Sequence, residues 1–274
     1  MTTTLRPSGP LQQSTGGARS RPYEIRVNSR RVGALLLAAD TPFGPTVAEI
    51  RDLAVEEPDR RRGRATVAAL AAEEVLRSWG CRRVRVSVPA ESAGGLRMAD
   101  SLGYAEYSRN MAKELPAEPP TLPEGVSGRP MTEAEFETWL AGARESYAQS
   151  WISRGMPAQA AHAKSVADHE SLLPGGLATR GVSFGVLEAA GTPVGTVWVA
   201  PSGEASYVFD VAVAEEHRGR GYGRGLMLLA ERTALAAGHR VLALHVFTDN
   251  TPALRLYESL GYRTTDFNYA KDLI

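Results

Sequence analysis

Cysteine is almost missing from this chain: Cys81 is the only one in 274 residues. That excludes an internal disulfide and a zinc site built from several thiolates. Long apolar runs are missing too, since none approaches the roughly 20 residues that span a bilayer. The segment from Met1 to Gly17 is polar and rich in Gly, Ser and Thr, without the apolar stretch of a secretory signal. A cytoplasmic protein with no membrane partner is the expectation. Net charge is also lacking, with 31 basic against 31 acidic residues.

That zero is unevenly divided. Through Leu115 there are 18 basic and 13 acidic residues, and beyond it 13 and 18, so the halves carry +5 and −5. Such opposite fields attract one another or draw a cationic ligand to the second half, within the limits set by salt screening. Arg60, Arg61, Arg62 and Arg64 form a short basic cluster, but on a neutral chain this is no nucleic-acid footprint. His162 and His169 stand seven apart with no cysteine or carboxylate cluster at ligand spacing. No metal and no nucleic acid is expected.

What the chain does contain is a stretch written twice. Asp52 to Leu115 aligns without a gap onto Asp210 to Leu273, each residue n matching residue n + 158. Matches fall on framework positions: Ala54 and Ala212, Val55 and Val213, Leu70 and Leu228, Gly80 and Gly238, Val88 and Val246, Leu96 and Leu254. The run Ser101 to Tyr104 also repeats as Ser259 to Tyr262. One repeat of this size is a domain duplication, because solenoid units are shorter and need three or more copies. The polar equipment differs between the copies. Where the second has His245, Asn250 and Tyr257, the first has Ser87, Ser92 and Ala99. The expected layout is a degenerate, non-catalytic domain over 1–115, a Pro/Glu/Gly-rich linker over 116–128, and a catalytic domain over 129–274.

Periodicity in the second half gives an ordered series of elements. Thr132 followed by Glu135 is a possible capping box opening a helix to about Ser150. A second helix runs from Ala158 to Leu173 and stops at Pro174-Gly175-Gly176. Strands are expected over Ser183–Ala189 and Pro193–Ala200, joined by a short Gly-containing hairpin, then over Ala205–Val213. A helix to Ala237, a strand Val241–Phe247, a short helix Pro252–Leu260 and a strand from Arg263 to Leu273 complete the order. This is an α/β fold with a mixed (α+β) sheet covered by helices, present as two tandem domains.

Between the third of these strands and the following helix lies Arg218-Gly219-Arg220-Gly221-Tyr222-Gly223. Glycines there let the chain turn sharply and let a bulky anion approach, while the helix's first amides and dipole offer positive charge. The spacing is not that of a Rossmann dinucleotide loop. Together with the downstream Asn250 and Leu256-Tyr257-Glu258-Ser259-Leu260-Gly261-Tyr262, the segment from Asp210 to Gly223 resembles the GNAT superfamily of acyl-CoA-dependent N-acetyltransferases. That family's loop is written [Q/R]-x-x-G-x-[G/A]. Arg218, Gly221 and Gly223 fill it, as do Arg60, Gly63 and Ala65. The resemblance covers most of 129–274 and, with fewer matches, 52–115.

The resemblance implies acetyl-CoA as cosubstrate. Backbone at Val211, Ala212 and Val213 pairs with its pantetheine arm, as on the family's bulged fourth strand. The amides of Arg218, Gly219, Arg220, Gly221, Tyr222, Gly223 and Arg224 hold its pyrophosphate, and Asn250 contacts it. Tyr257 matches the tyrosine that protonates the departing thiolate. Direct attack also needs an unprotonated amine. His245, on the strand five residues before Asn250, is the candidate base, with an imidazole whose ordinary pKa lies near neutrality. Asp210 is the rival, but its retention as Asp52 in the other copy argues for a structural task.

In this family two helices between the first strands wall the acceptor site. Here Glu145, Tyr147, Trp151, His162, His169 and Glu170 are their polar or aromatic candidates. The first half has only about sixteen residues in that interval, between Arg6 and Tyr23, too few for two helices. Its loop either holds CoA or has become structural, with Val67 in place of Gly225 as a possible obstruction to phosphate. The expected acceptor is a small-molecule or peptide amine. The expected state is a monomer that acts as an internal pseudo-dimer, or a homodimer. The alternative reading is a non-catalytic acyl-CoA-binding sensor.

Overall fold

The computed structural model describes residues 2–14, 17–41 and 44–273. It forms two compact units, Met1–Ser108 with Asp266–Ile274 and Arg109–Thr265. The chain is mixed α/β in both.

The first unit runs β1 (Thr3–Pro7), β2 (Gln12–Gln13), β3 (Arg19–Val27), β4 (Arg30–Thr41), β5 (Gly44–Val55), α1 (Arg64–Ser78), β6 (Arg83–Pro89) and α2 (Ala93–Ser101) into the start of β7 (Ala105–Glu114). Among the described residues only the two-residue β2 lies between β1 and β3, where the second half has two helices. Strands β1 to β5 pair antiparallel and β6 joins β5 in parallel. Tyr23, Ile25, Leu35, Leu37, Ala48, Ile50 and Val84 alternate along the strands and meet Ala68, Ala72 and Leu76 of α1 in one core.

The second unit contains β8 (Val126–Pro130), α3 (Glu133–Ile152), α4 (Ala158–Leu172), β9 (Ser183–Ala189), β10 (Thr192–Ser202), β11 (Ala205–Val213), α5 (Tyr222–Ala236), β12 (Val241–Phe247), α6 (Thr251–Ser259) and the start of β13 (Arg263–Asp272). Thr132 and Glu135 do form a capping box at α3. Ala190 and Gly191, both at positive φ (49° and 78°), make the tight β9–β10 turn. The sheet has a different core on each face. Val197, Val199, Val208, Leu242, Leu244 and Val246 pack with Leu226, Met227 and Ala230 of α5. On the other face Phe184, Val186 and Trp198 pack with Phe136, Trp139 and Leu140 of α3.

The compact units cross the linear boundaries expected from the sequence in two places. The compact units divide at Ser108/Arg109 and Thr265/Asp266, not at 115 and 129. Residues 266–272 pair antiparallel with β6, from Asp266↔Pro89 to Asp272↔Arg83, and so complete the first unit's sheet. Met111 and Leu115, from the end of the first copy, lie in the second unit's core. The two last strands share buried apolar residues at matched positions, Met111 with Tyr269 and Leu115 with Leu273. The expected linker also loses its end, because β8 starts at Val126 and pairs with β9.

Two ion pairs, each with its carboxylate buried, hold these strands. Lys113 Nζ lies 2.7 Å from Glu231 Oε1 in the second unit, and Lys271 Nζ lies 2.8 Å from Glu73 Oε2 in the first. Both glutamates are 1% exposed. The chain has only three lysines, and these two are a matched pair of the repeat.

Candidate active site

Strands β11 and β12 run parallel and pair at Ser206↔Leu242, Tyr207↔Ala243 and Val208↔Leu244. Pairing stops there, although the strands continue to Val213 and Phe247. The cause is visible one rung on, where Trp198 pairs with Asp210 and Val199 with Val208. Phe209 is therefore an extra residue, a bulge that bends β11 and increases its twist. Gly195 permits the neighbouring approach, since a Cβ there would stand 2.5 Å from Ala212 O. The result is a gap flanked by residues 209–213 on one strand and 245–247 on the other, with backbone groups of Val211, Ala212 and Val213 unused by β12.

At the far end of β11 a short turn, Glu215–His217, leads to the loop. Gly219 and Gly221 take positive φ, 77° and 84°, and Gly221 is the N-cap of α5. A side chain at either would be strained by that backbone conformation. Arg218, Gly219, Arg220 and Arg224 are exposed, beside the first-turn amides of Tyr222 and Gly223, which have no acceptor within the helix. The expected amides of Arg218 and Arg224 are instead taken by Glu215 O at 3.3 Å and Gly221 O at 3.0 Å. Arg224 donates to Ser259 Oγ at 2.6 Å. Exposed amides, cationic side chains and an N-terminal dipole together suit a pyrophosphate. Gly225 has another task, because its missing Cβ would meet Leu187 Cδ2 at 2.9 Å. It lets α5 sit down on β9. Its counterpart Val67 is 43% exposed, so the expected obstruction of phosphate by Val67 does not follow from a shared close approach.

Tyr257 on α6 is buried, and burial first, then Asp210 and Tyr207, push its phenol up to about 12. It is thus a protonated donor at neutral pH. Asn250 caps α6, its Oδ1 accepting from Ala253 N at 3.3 Å. His245 follows the last paired residue of β12. It shares a sheet face with Ala243 and Tyr207 and packs edge-on against Phe247 at 4.8 Å. Arg154 covers the Phe247 ring at 3.5 Å.

Of the acceptor-wall candidates, three turn inward and three outward. Glu145, His162 and Glu170 are exposed, with His162 Nε2 on Glu145 at 3.2 Å and Glu170 near Arg144. His169 is buried, its Nδ1 bonded to Ser165 O at 2.7 Å. Tyr147 lies 5.9 Å from the His169 ring and 6.0 Å from Trp151, and donates to Asp168 at 2.9 Å. The sequence reading passed over Trp139 and Tyr207. A signal for Trp139 existed: with Tyr147 and Trp151 it makes an aromatic stripe at spacings of eight and four, one face of α3.

Trp139 adds a contact to Asp210 that the sequence did not show. Its Nε1 donates to Asp210 Oδ2 at 3.1 Å, which sets the carboxyl among Trp139, His169 and Tyr257. Burial raises the Asp210 pKa against the opposing pull of Trp139, His169 and the Val211 amide. A carboxyl raised in the folded state contributes most stability below its unfolded value, about 3.9, and loses it as pH rises through the folded value. Asp210→Asn should therefore raise Tm more at pH 8 than at pH 4 in calorimetry. An equal shift at both contradicts this.

The first unit keeps the frame of such a site without its groups. Parallel pairing of β5 and β6 also ends after three rungs, at Glu49↔Arg85. Gly63 repeats the positive φ of Gly221, and Arg60 donates to Val55 O at 2.8 Å as Arg218 does to Val213 O at 3.4 Å. Arg64, where the second copy has Tyr222, is turned onto Asp59, which Arg30 also holds at 2.7 and 2.8 Å. Ala99, in place of Tyr257, fills the core. Among the described residues no cluster of metal ligands occurs, and no helix is long and apolar enough to cross a membrane.

Residues 6–104 and 140–262 match the acetyltransferase (GNAT) family, so the chain belongs to that family in both of its halves. Of two curated relatives, one extends over nearly all of it and the other over about half. The mycothiol acetyltransferase of Streptomyces griseus is 29% identical, covering 91% of this chain and 79% of its own length. The N-acetyltransferase YycN of Bacillus subtilis is 30% identical over 53% of this chain and 96% of its own. Among solved structures, a GCN5-related N-acetyltransferase from Sphaerobacter thermophilus matches with a TM-score of 0.63 at 17% identity, covering 92% of this chain and 80% of its own. A tandem GNAT protein from the clavulanic acid biosynthesis pathway matches with a TM-score of 0.54 at 18% identity, covering 96% and 85%. These two likenesses establish the tandem fold.

Proposed function

We propose that the second unit transfers an acetyl group from acetyl-CoA to a primary amine, and that the first unit is a non-catalytic scaffold. The observation that carries this reading is the strand gap beyond Val208 and Leu244, with an exposed anion-binding loop at one end and the buried phenol of Tyr257 beside it. The acetyltransferase relatives support acetyl as the group moved.

In this scheme the loop from Arg218 to Arg224 grips the pyrophosphate, and Val211, Ala212 and Val213 align the pantetheine by backbone hydrogen bonds. Asn250 fixes the start of α6 and lines the cosubstrate. His245 takes a proton from the ammonium, and the free amine attacks the thioester carbonyl. The C–N bond forms, the C–S bond breaks, and Tyr257 gives its proton to the thiolate, regaining one from solvent. A positioned acid or base of this kind contributes about 10²–10⁴-fold. His245→Ala should depress kcat most above an ordinary imidazole's pKa of about 6.5, where imidazole is free to accept while the amine is still protonated, and less below it, where the wild-type base is itself protonated. Comparing pH–rate profiles of variant and wild type tests this, and a ratio that stays flat with pH removes His245 from the base role.

A further inference from the structure

Several carboxylates of the second unit are ion-paired with a Lys or Arg within the chain. Asp168 has Lys164, Glu231 has Lys113, Asp249 has Arg154, and Glu135 and Glu188 share Arg129. Asp210 differs. Its partners are the Trp139 indole, the Val211 amide and the nearby His169, and no Lys or Arg pairs with it among the described residues. It is nonetheless half-buried, set deep but still reached by solvent.

The surroundings of this carboxylate form two tiers. Trp139, Tyr147, Tyr207 and Phe209 are half-buried, so they present ring surface to solvent. Behind them Phe184 and Trp198 are 5% and 4% exposed, with Trp198 stacked on Phe209 at 4.7 Å and edge-on to Trp139 at 5.6 Å. The backing rings fix the front ones in place. Tyr207 meets Phe209 edge-on at 4.9 Å, and Tyr147 and Trp151 already hold one ammonium, that of Lys164, 6.0 and 5.6 Å from their centroids.

A carboxylate without a cation, ringed by aromatic faces, is complementary to an ammonium group, which gains both the charge pair and the ring quadrupoles. For a dense set of hydroxyls the wall offers few free polar groups, since the Trp139 indole and the Tyr147 hydroxyl already donate to Asp210 and Asp168. Building on the acetyl-transfer reading above, we infer that the acceptor is a compact primary amine on an aromatic or aliphatic frame, bound as its ammonium on Asp210 with its apolar part among Trp139, Tyr147, Tyr207 and Phe209. An amino sugar or a free amino acid fits this cleft poorly.

The test uses the full chain and three probes: 2-phenylethylamine, its neutral analogue 2-phenylethanol, and glucosamine. Binding is followed by calorimetry and by the fluorescence of the cleft tryptophans. The amine should bind at least about tenfold more tightly than either other probe, the scale of a desolvated cation–π and charge contact. In Asp210→Asn the preference for amine over alcohol should vanish while acetyl-CoA affinity stays. Glucosamine binding as tightly as 2-phenylethylamine, or a preference that survives Asp210→Asn, overturns the inference. The wild-type comparison stands even where the variant misfolds. CoA release with glucosamine but not with 2-phenylethylamine sinks this inference and leaves the transferase reading intact. Asp210-dependent binding of 2-phenylethylamine without CoA release from any amine does the reverse.

Discussion

Tyr257→Phe is expected to lower kcat by about 10²–10⁴-fold, the range of a single positioned acid, with the dissociation constant for acetyl-CoA unchanged. Removing one hydroxyl leaves the ring, which fills its place in the core beside Tyr262 at 6.0 Å between centroids. The loop and the open edge of β11, which would bear the cosubstrate, are untouched. Loss therefore falls on the chemical step, where the thiolate leaves without its donor. With a raised phenol pKa, wild-type Tyr257 is protonated across the working range, so the defect should be nearly independent of pH between 6 and 9. Single-turnover kinetics together with acetyl-CoA titration separates the two quantities. Wild-type kcat in the variant would remove Tyr257 from the acid role.

A fragment from Arg129 to Ile274, the domain that a linear reading suggests, should not fold. It lacks Met111, 1% exposed, and Leu115, both in the second unit's core. It also leaves Glu231 without Lys113 at a 1%-exposed position. Breaking a buried pair costs about 3–5 kcal/mol, and emptying a buried Met site about 2–5 kcal/mol. A whole domain is stable by only about 5–15 kcal/mol. The segment Arg109–Thr265 keeps these groups and drops the strand that belongs to the other unit, so it should show a cooperative thermal transition. Circular dichroism melts of both fragments decide the matter. A cooperative melt from 129–274 and none from 109–265 would contradict the division described above.

Much of the fold was legible because its signals are local. The capping pair Thr132/Glu135 and the Ala190-Gly191 turn each act within a few residues, and strands such as Ser183–Ala189 emerged at their expected bounds. The placement of the last strands was not legible. Lys113 and Lys271, Leu115 and Leu273 are the same residues in both copies, and a pattern that fits two slots does not say which one it fills. The site was half legible. The glycine loop and Tyr257 follow from motif and spacing. The surroundings of Asp210 were not legible, because matching Asp52 hid the difference, and only the fold brings Trp139 to it across 71 residues of sequence.

Purified full-length protein incubated with acetyl-CoA and a panel of primary amines tests the central claim most directly. Release of free CoA should depend on an added amine, match the N-acetylated product mole for mole, and fall with Tyr257→Phe. Tight binding of acetyl-CoA with no amine-dependent CoA release across the panel would contradict the account and favour a protein that only senses the acyl-CoA.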